Sequence, residues 1–304
     1  MSTEDVSARF ADLDLWTTRE AVQAMLEGQL AAAAAVQSQA EQIARAAEAA
    51  AARLESLHGR LIYVGAGTSG RVAAMDGVEL SPTFNWGGER VAYLLAGGPG
   101  AMLSSIEGAE DDASAGAAEM HALAPTSGDV VVGVAASGRT PYTVAACRTA
   151  DAAGALTVGF ANNEGTALLE AVAHPILLDS GAEIVAGSTR MKAGTAQKIA
   201  LNTFSTAVMI RLGRVHGGFM INMRLTNRKL QGRGLEMVHA VARVEKSIAE
   251  DALEQAGGDL KLAVLIALGA TPEQGAASLQ AAGDNLRSAM ERWKSDRQSG
   301  VRAR

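Results

Sequence analysis

Aromatic residues are scarce. Phe, Trp and Tyr make up 4% of 304 residues, whereas hydrophobic residues make up 48%. The core is therefore expected to be aliphatic, built from Ala, Val, Leu, Ile and Met. Cysteine occurs once, at Cys147, so no intrachain disulfide can form and a reducing compartment suits the chain. Nothing near Cys147 is set to lower its pKa, and it reads as a buried small hydrophobe rather than a nucleophile. Basic charge is not in excess: 27 Lys and Arg stand against 33 Asp and Glu, a net −6. A nucleic-acid surface needs a basic stripe, so that class is disfavoured. A small anionic ligand is not, because local backbone dipoles can override net charge. No uncharged run approaches the length of a membrane span. No basic flank followed by an apolar core marks a secretory signal, and the expected location is the cytoplasm. The five histidines (His58, His121, His174, His216 and His239) lack metal-ligand spacing. No metal or other cofactor is expected.

What is present falls into three parts. Residues 1–58 read as a helical arm. Thr17 and Glu20 fit a capping box, with Val22, Met25, Leu26 and Leu30 following at helical spacing. The Ala-rich stretch from Ala31 to Leu57 has high helix propensity but buries little area, which suits close packing against a partner subunit or a plain surface helix. Residues 59–223 alternate short apolar runs with helix-length segments: Leu61 to Val64, Val91 to Ala96, Val130 to Val134, Leu156 to Phe160 and Ala173 to Leu178. That rhythm predicts an α/β domain, a doubly wound parallel sheet covered on both faces. Residues 224–304 again read as helices, with a small helical subdomain from about residue 243. There Thr271, Pro272 and Gln274 mark a capped helix start.

In such a sheet, ligands bind beyond the carboxyl ends of the strands. The first strand runs into Gly65-Ala66-Gly67-Thr68-Ser69-Gly70-Arg71. A glycine-rich turn that opens a helix is a ready anion site. Its Gly-x-Gly-x-x-Gly spacing also fits a dinucleotide loop, but the second strand ends Leu94-Leu95-Ala96-Gly97-Gly98 with no carboxylate for a ribose. No Gly-x-x-x-x-Gly-Lys-Ser/Thr sequence occurs either, which excludes a P-loop NTPase. A second loop, Ala135 to Pro141, offers the Ser137 and Thr140 hydroxyls and the Gly138 and Arg139 amides, with Thr140 as a helix N-cap. A third, Gly187-Ser188-Thr189-Arg190-Met191-Lys192, opens a long helix that Gly213 stops. Each loop alone reads as a capped helix start. Three in one sheet favour a small phosphorylated ligand.

These turns resemble the sugar isomerase (SIS) domain family, which binds phosphosugars. Three longer segments resemble, within it, the N-acetylmuramic acid 6-phosphate etherases: Gly65 to Arg71, Glu107-Gly108-Ala109-Glu110-Asp111, and Gly187 to Lys198. The resemblance spans most of the chain. It implies cleavage of the lactyl ether of the phosphosugar, giving N-acetylglucosamine 6-phosphate and D-lactate, by a homodimer without a metal. It assigns Glu79 as proton donor and Glu110 as a second catalytic glutamate. From the residues alone, each reads more readily as a solvated surface carboxylate, the usual fate of Glu. Glu79 is expected just beyond the helix that the first loop opens. Around it the chain reads Gly77-Val78-Glu79-Leu80-Ser81-Pro82-Thr83, where the family typically has Ala-Ser-Glu-Cys-Pro-Pro-Thr, and Glu164 stands where a proline is usual.

The residues expected at phosphate are Thr68, Ser69, Ser137, Gly138, Arg139 and Thr140. Ser188, Thr189 and Lys192 are expected to line the sugar pocket or meet it from a partner subunit. Arg71 and Arg190 are charge partners for phosphate or lactate carboxylate, or plain surface ion pairs. Two other classes share the cradle: a phosphosugar isomerase and a non-catalytic phosphosugar sensor. No helix-turn-helix module or basic face is evident for a regulator.

Overall fold

The computed structural model describes residues 2–55 and 59–302. Ser56, Leu57, His58 and Arg304 lie outside the described residues. The chain divides into two compact units, one of Met1–Val78 with Gly87–Val208, the other of Glu79–Trp86 with Met209–Arg304.

The first unit opens with helices α1 (Thr18–Gln37) and α2 (Ala40–Leu54). Thr17 caps α1 through a reciprocal box with Glu20, as its spacing predicts. The Ala-rich run is not one helix: a turn at Ser38 and Gln39 breaks it. Helix α2 turns Ile43, Ala46, Ala47, Ala50 and Leu54 inward. On α1, by contrast, Val22, Leu26 and Leu30 are exposed.

The sheet follows: β1 (Leu61–Gly65), β2 (Val91–Leu95), β3 (Val130–Ala135), β4 (Leu156–Ala161) and β5 (His174–Leu177), all parallel and ordered β2-β1-β3-β4-β5. Every residue of β1, β3 and β4 is buried, as continuous apolar runs covered on both faces demand. The core is mostly aliphatic, but Tyr63, Tyr142, Phe160 and Phe204 are among its largest fully buried side chains; Cys147 is part of it, its thiol pushed up to about 12 by burial. Between β1 and β3 the strand order reverses direction, the point at which doubly wound sheets open a crevice.

Connecting helices are α3 (Gly67–Phe84), α4 (Ala113–Ala122), α5 (Pro141–Ala152), α6 (Ala167–Glu170) and α7 (Lys192–Arg211). Helix α3 packs very closely on β1. A Cβ on Gly65 would meet the Gly70 backbone at 2.7 Å, and one on Gly70 would meet Leu95 Cδ1 at 2.2 Å. Two of the three glycines in the first turn are thus needed for helix–strand packing. Helices α3 and α7 run parallel from adjacent starts. Thr68 Cγ2 lies 3.3 Å from where a Gly194 Cβ would sit. Two turns on, Asp76 accepts from Tyr63 Oη (2.8 Å), Asn202 Nδ2 (2.5 Å) and Ser205 Oγ (3.1 Å). Burial raises the Asp76 carboxyl against these bonds and raises the Tyr63 phenol well above its ordinary value.

The second unit contains α8 (Arg228–Ala242), α9 (Lys246–Gln255), α10 (Leu260–Ala267), α11 (Pro272–Ala281) and α12 (Leu286–Arg302) around an aliphatic core centred on α10. Thr271 forms the predicted box with Gln274. Asp259 caps α10, and the buried Lys261 bonds Asp284 Oδ2 at 2.8 Å. Gly213, at φ 70°, follows the end of α7 as expected.

Candidate active site

At the β1/β3 reversal lies a cleft of about 460 Å³. The turn after β1 gives it Ala66 to Ser69, the turn after β3 gives Ser137, Arg139 and Thr140, and Glu110 and Thr189 complete its predicted wall. Helices α3 and α5 both begin here. Their first-turn amides have no intrahelical acceptor, and their dipoles favour an anion. Thr140 is the N-cap of α5, yet its hydroxyl makes no capping bond. Ser69 and Thr68 stand at the start of α3, with Ser69 largely buried.

Within the Ser137 turn two predicted donors are already engaged. The Gly138 amide donates to the Ala135 carbonyl at 3.0 Å, and the Arg139 amide donates to Ser137 Oγ at 3.1 Å. Gly138 serves the backbone instead: its φ is 64°, and a Cβ there would sit 2.2 Å from Thr166 Oγ1. The Ser137 and Thr140 hydroxyls and the Arg139 side chain remain for a ligand.

The third loop divides. Thr189 lines the cleft, whereas Ser188, Arg190 and Lys192 are not among its lining residues. The start of α7 is filled from inside the protein. The buried Glu183 carboxylate accepts from the Lys192 amide (3.1 Å) and the Ala193 amide (2.9 Å). Lys192 is itself buried and its ammonium donates to the Ser180 carbonyl at 2.8 Å. Burial lowers its pKa, with Glu183 and Asp179 pulling the other way. Arg190 is exposed. Arg71 donates to the Ala101 (2.8 Å) and Ser104 (3.1 Å) carbonyls, beside a second cleft of about 230 Å³ that Glu107 and Glu110 also line. It anchors that loop rather than forming a surface ion pair.

Glu110 is exposed on the short turn Ala109–Asp111 and belongs to both clefts. Glu79 is placed differently from its expected position beyond the helix. Helix α3 runs through it to Phe84 despite Pro82. The helix stops at left-handed Asn85, whose amide bonds the Ser81 carbonyl at 2.9 Å. Glu79 is exposed, sits on the α3 segment assigned to the second unit, and does not line the 460 Å³ cleft. Two acidic residues line that cleft without having been singled out individually by the sequence pattern: Asp111, beside Glu110, and Glu4. No local signal marks Glu4, because its neighbour Thr3 is tied to Asn163, 160 residues away. No group of three or more His, Cys, Asp or Glu placed to hold a metal occurs among the described residues.

Residues 41–150 match the model of the glucokinase regulatory protein N-terminal SIS domain. Over 286 residues the chain is 48% identical to the N-acetylmuramic acid 6-phosphate etherase of Deinococcus radiodurans, covering 94% of this chain and 93% of that protein. It is 44% identical over 291 residues to the protein of the same name from Streptomyces coelicolor, covering 95% and 93%. Among solved structures, a phosphoheptose isomerase from Francisella tularensis superposes with a TM-score of 0.47 at 19% identity, covering 64% of this chain and 98% of that one.

Proposed function

The chain belongs to the N-acetylmuramic acid 6-phosphate etherase family, and on that premise we propose how its residues share the work. It is a carbon–oxygen lyase that cleaves the D-lactyl ether of N-acetylmuramic acid 6-phosphate, giving N-acetylglucosamine 6-phosphate and D-lactate, in cell-wall amino-sugar recycling. The observation that carries the assignment of residues is the convergence of two helix starts, the hydroxyls of Thr68, Ser69, Ser137, Thr140 and Thr189, and Glu110 on one cleft at the strand-order reversal.

The ether at C3 is unactivated. Ring opening exposes the C1 aldehyde, which acidifies the C2 proton. A base removes that proton, the C3–O bond breaks, lactate leaves carrying a proton from an acid, and water adds back at C3. Glu110, which lines the cleft, is one catalytic glutamate; the proton-donor role of Glu79 rests on the family resemblance alone, since Glu79 lies outside that cleft, and such acid–base groups contribute roughly 10²–10⁴-fold each. Thr68, Ser69, Ser137 and Thr140 hold the phosphate, with the α3 and α5 dipoles supplying the field that net charge does not. Thr189 meets the sugar. The enzyme works as a homodimer in the cytoplasm, a reading supported by the exposed Val22, Leu26 and Leu30 of α1 and by the single, buried cysteine.

The test is incubation with N-acetylmuramic acid 6-phosphate and an assay for D-lactate. Lactate should appear at the rate the sugar is consumed. No lactate from well-folded protein sinks the reading.

A further inference from the structure

The segment from Ser2 to Asp5 carries none of the motifs, yet its Thr3 is fully buried at 0% exposure. Each of its polar groups is engaged. The Thr3 amide donates to Asn163 Oδ1 at 3.0 Å, and Thr3 Oγ1 accepts from Asn163 Nδ2 at 3.0 Å. The Thr3 carbonyl accepts from the Gly187 amide at 3.1 Å. Asn163 Nδ2 also donates to the Ala136 carbonyl, 2.9 Å away at the root of the Ser137 turn. The segment is therefore stitched to the loops that follow β3 and β4 and to the third loop, at the ligand end of the sheet.

The next residue, Glu4, is exposed and lines the 460 Å³ cleft, where Ser69, Ser137, Thr140 and Glu110 also lie, and its Oε1 accepts from Thr3 Oγ1 at 3.4 Å. Its Oε2 would stand 2.9 Å from a Cβ on Gly187, so the glycine leaves the space it uses. A merely solvated glutamate needs no buried anchor beside it. This one is presented by a fixed backbone, which reduces the entropy lost when a ligand binds.

An ionised carboxylate only accepts hydrogen bonds. Beside a phosphate it repels, so it is suited to a part of the ligand that is neutral and carries donors. We propose that Glu4 is a substrate-contacting, specificity-determining residue that accepts hydrogen bonds from hydroxyl or acetamido N–H groups of the phosphosugar, with Thr3 as its positioning residue. The proposal rests on the reading of this cleft as the phosphosugar site. A site built to bond a substrate OH or NH discriminates strongly against ligands that lack it.

Calorimetric titration of the full chain with N-acetylglucosamine 6-phosphate, glucose 6-phosphate and inorganic phosphate tests it. Glu4→Ala should weaken N-acetylglucosamine 6-phosphate by roughly ten-fold or more and leave inorganic phosphate unchanged or tighter. Loss confined to the acetamido sugar assigns the N–H as the donor; equal loss with glucose 6-phosphate assigns a hydroxyl. Thr3→Val should act in the same direction, and Thr3→Ser should restore binding. Equal weakening of sugar phosphate and inorganic phosphate would mean that Glu4 only supports the pocket, and overturns the proposal. So does unchanged sugar-phosphate affinity in Glu4→Ala. If folded wild-type protein binds inorganic phosphate but no phosphosugar, the reading of the cleft itself fails, and the proposal with it.

Discussion

Helices α3 and α7 begin side by side and run parallel, and both begin at a glycine-bearing turn rich in serine and threonine. Their starts are nonetheless opposites. The α3 start opens on a cleft with Thr68 and Ser69 at its wall. The α7 start is closed by Glu183, buried and bonded to two amides. A helix start attracts an anion in either case. Whether that anion is a ligand or an internal carboxylate depends on a residue nine or ten positions upstream. The closed start fixes α7 and the open one receives substrate, so substitutions at the two should part company: one set should cost stability, the other activity or binding.

The largest expected effect is catalytic. Glu110→Gln should lower turnover by roughly 10²–10⁴-fold while phosphosugar affinity stays near wild type. Steady-state lactate release and a binding titration separate the two, and wild-type turnover would remove Glu110 from the mechanism. At the closed start, Glu183→Ala strands two buried amides and should cost about 3 kcal/mol of unfolding free energy, read from the urea midpoint. An unchanged midpoint would mean that the α7 start is not held by this carboxylate. At the open start, Ser137→Ala and Thr140→Val should each weaken sugar phosphates by about five-fold, the value of one hydrogen bond near 1 kcal/mol, with the midpoint unmoved. A shifted midpoint with intact binding would make that turn a second structural cap.

The smallest effect is in pH. Asp129 is another internal acceptor, bonded by the Arg60 amide and guanidinium and by the Thr126 amide, each at 2.8 Å. Burial pushes its carboxyl up, but the bonds from Arg60 and Thr126 outweigh this and hold it below the ordinary value. A carboxyl lowered on folding contributes stability that is fully present above its unfolded pKa and is lost as pH falls through the folded one. Asp129→Asn should therefore flatten the acid limb of a stability–pH curve below about pH 4. An acid limb as steep as wild type would assign that loss of stability to other carboxylates.

The strands, the caps at Thr17 and Thr271 and the glycine turn were legible because their signals are local: burial on both faces, a reciprocal box, a turn before a helix. The Ser38–Gln39 break was not, since alanine favours helix through that stretch and the preceding residues carry no breaker. The two clefts illustrate the same limit. Thr68, Ser69, Ser137 and Thr140 could be placed together because parallel strands carry the turns that follow them to one end of the sheet. Glu183 and Glu4 could not, because their partners are set by backbone amides and by Asn163, which no spacing in the sequence records. Lys192 shows the cost: a lysine in a family motif reads as a ligand group, while its ammonium is bonded inside the protein to Ser180.

A crystal structure with N-acetylglucosamine 6-phosphate bound tests the division between the two helix starts most directly. The phosphate should lie within hydrogen-bond distance of Ser69, Ser137 and Thr140, with Glu183 still on the Lys192 and Ala193 amides. Phosphate at the α7 start with Glu183 displaced, or in the larger cleft of the second unit beside Arg214 and Lys261, would contradict the account.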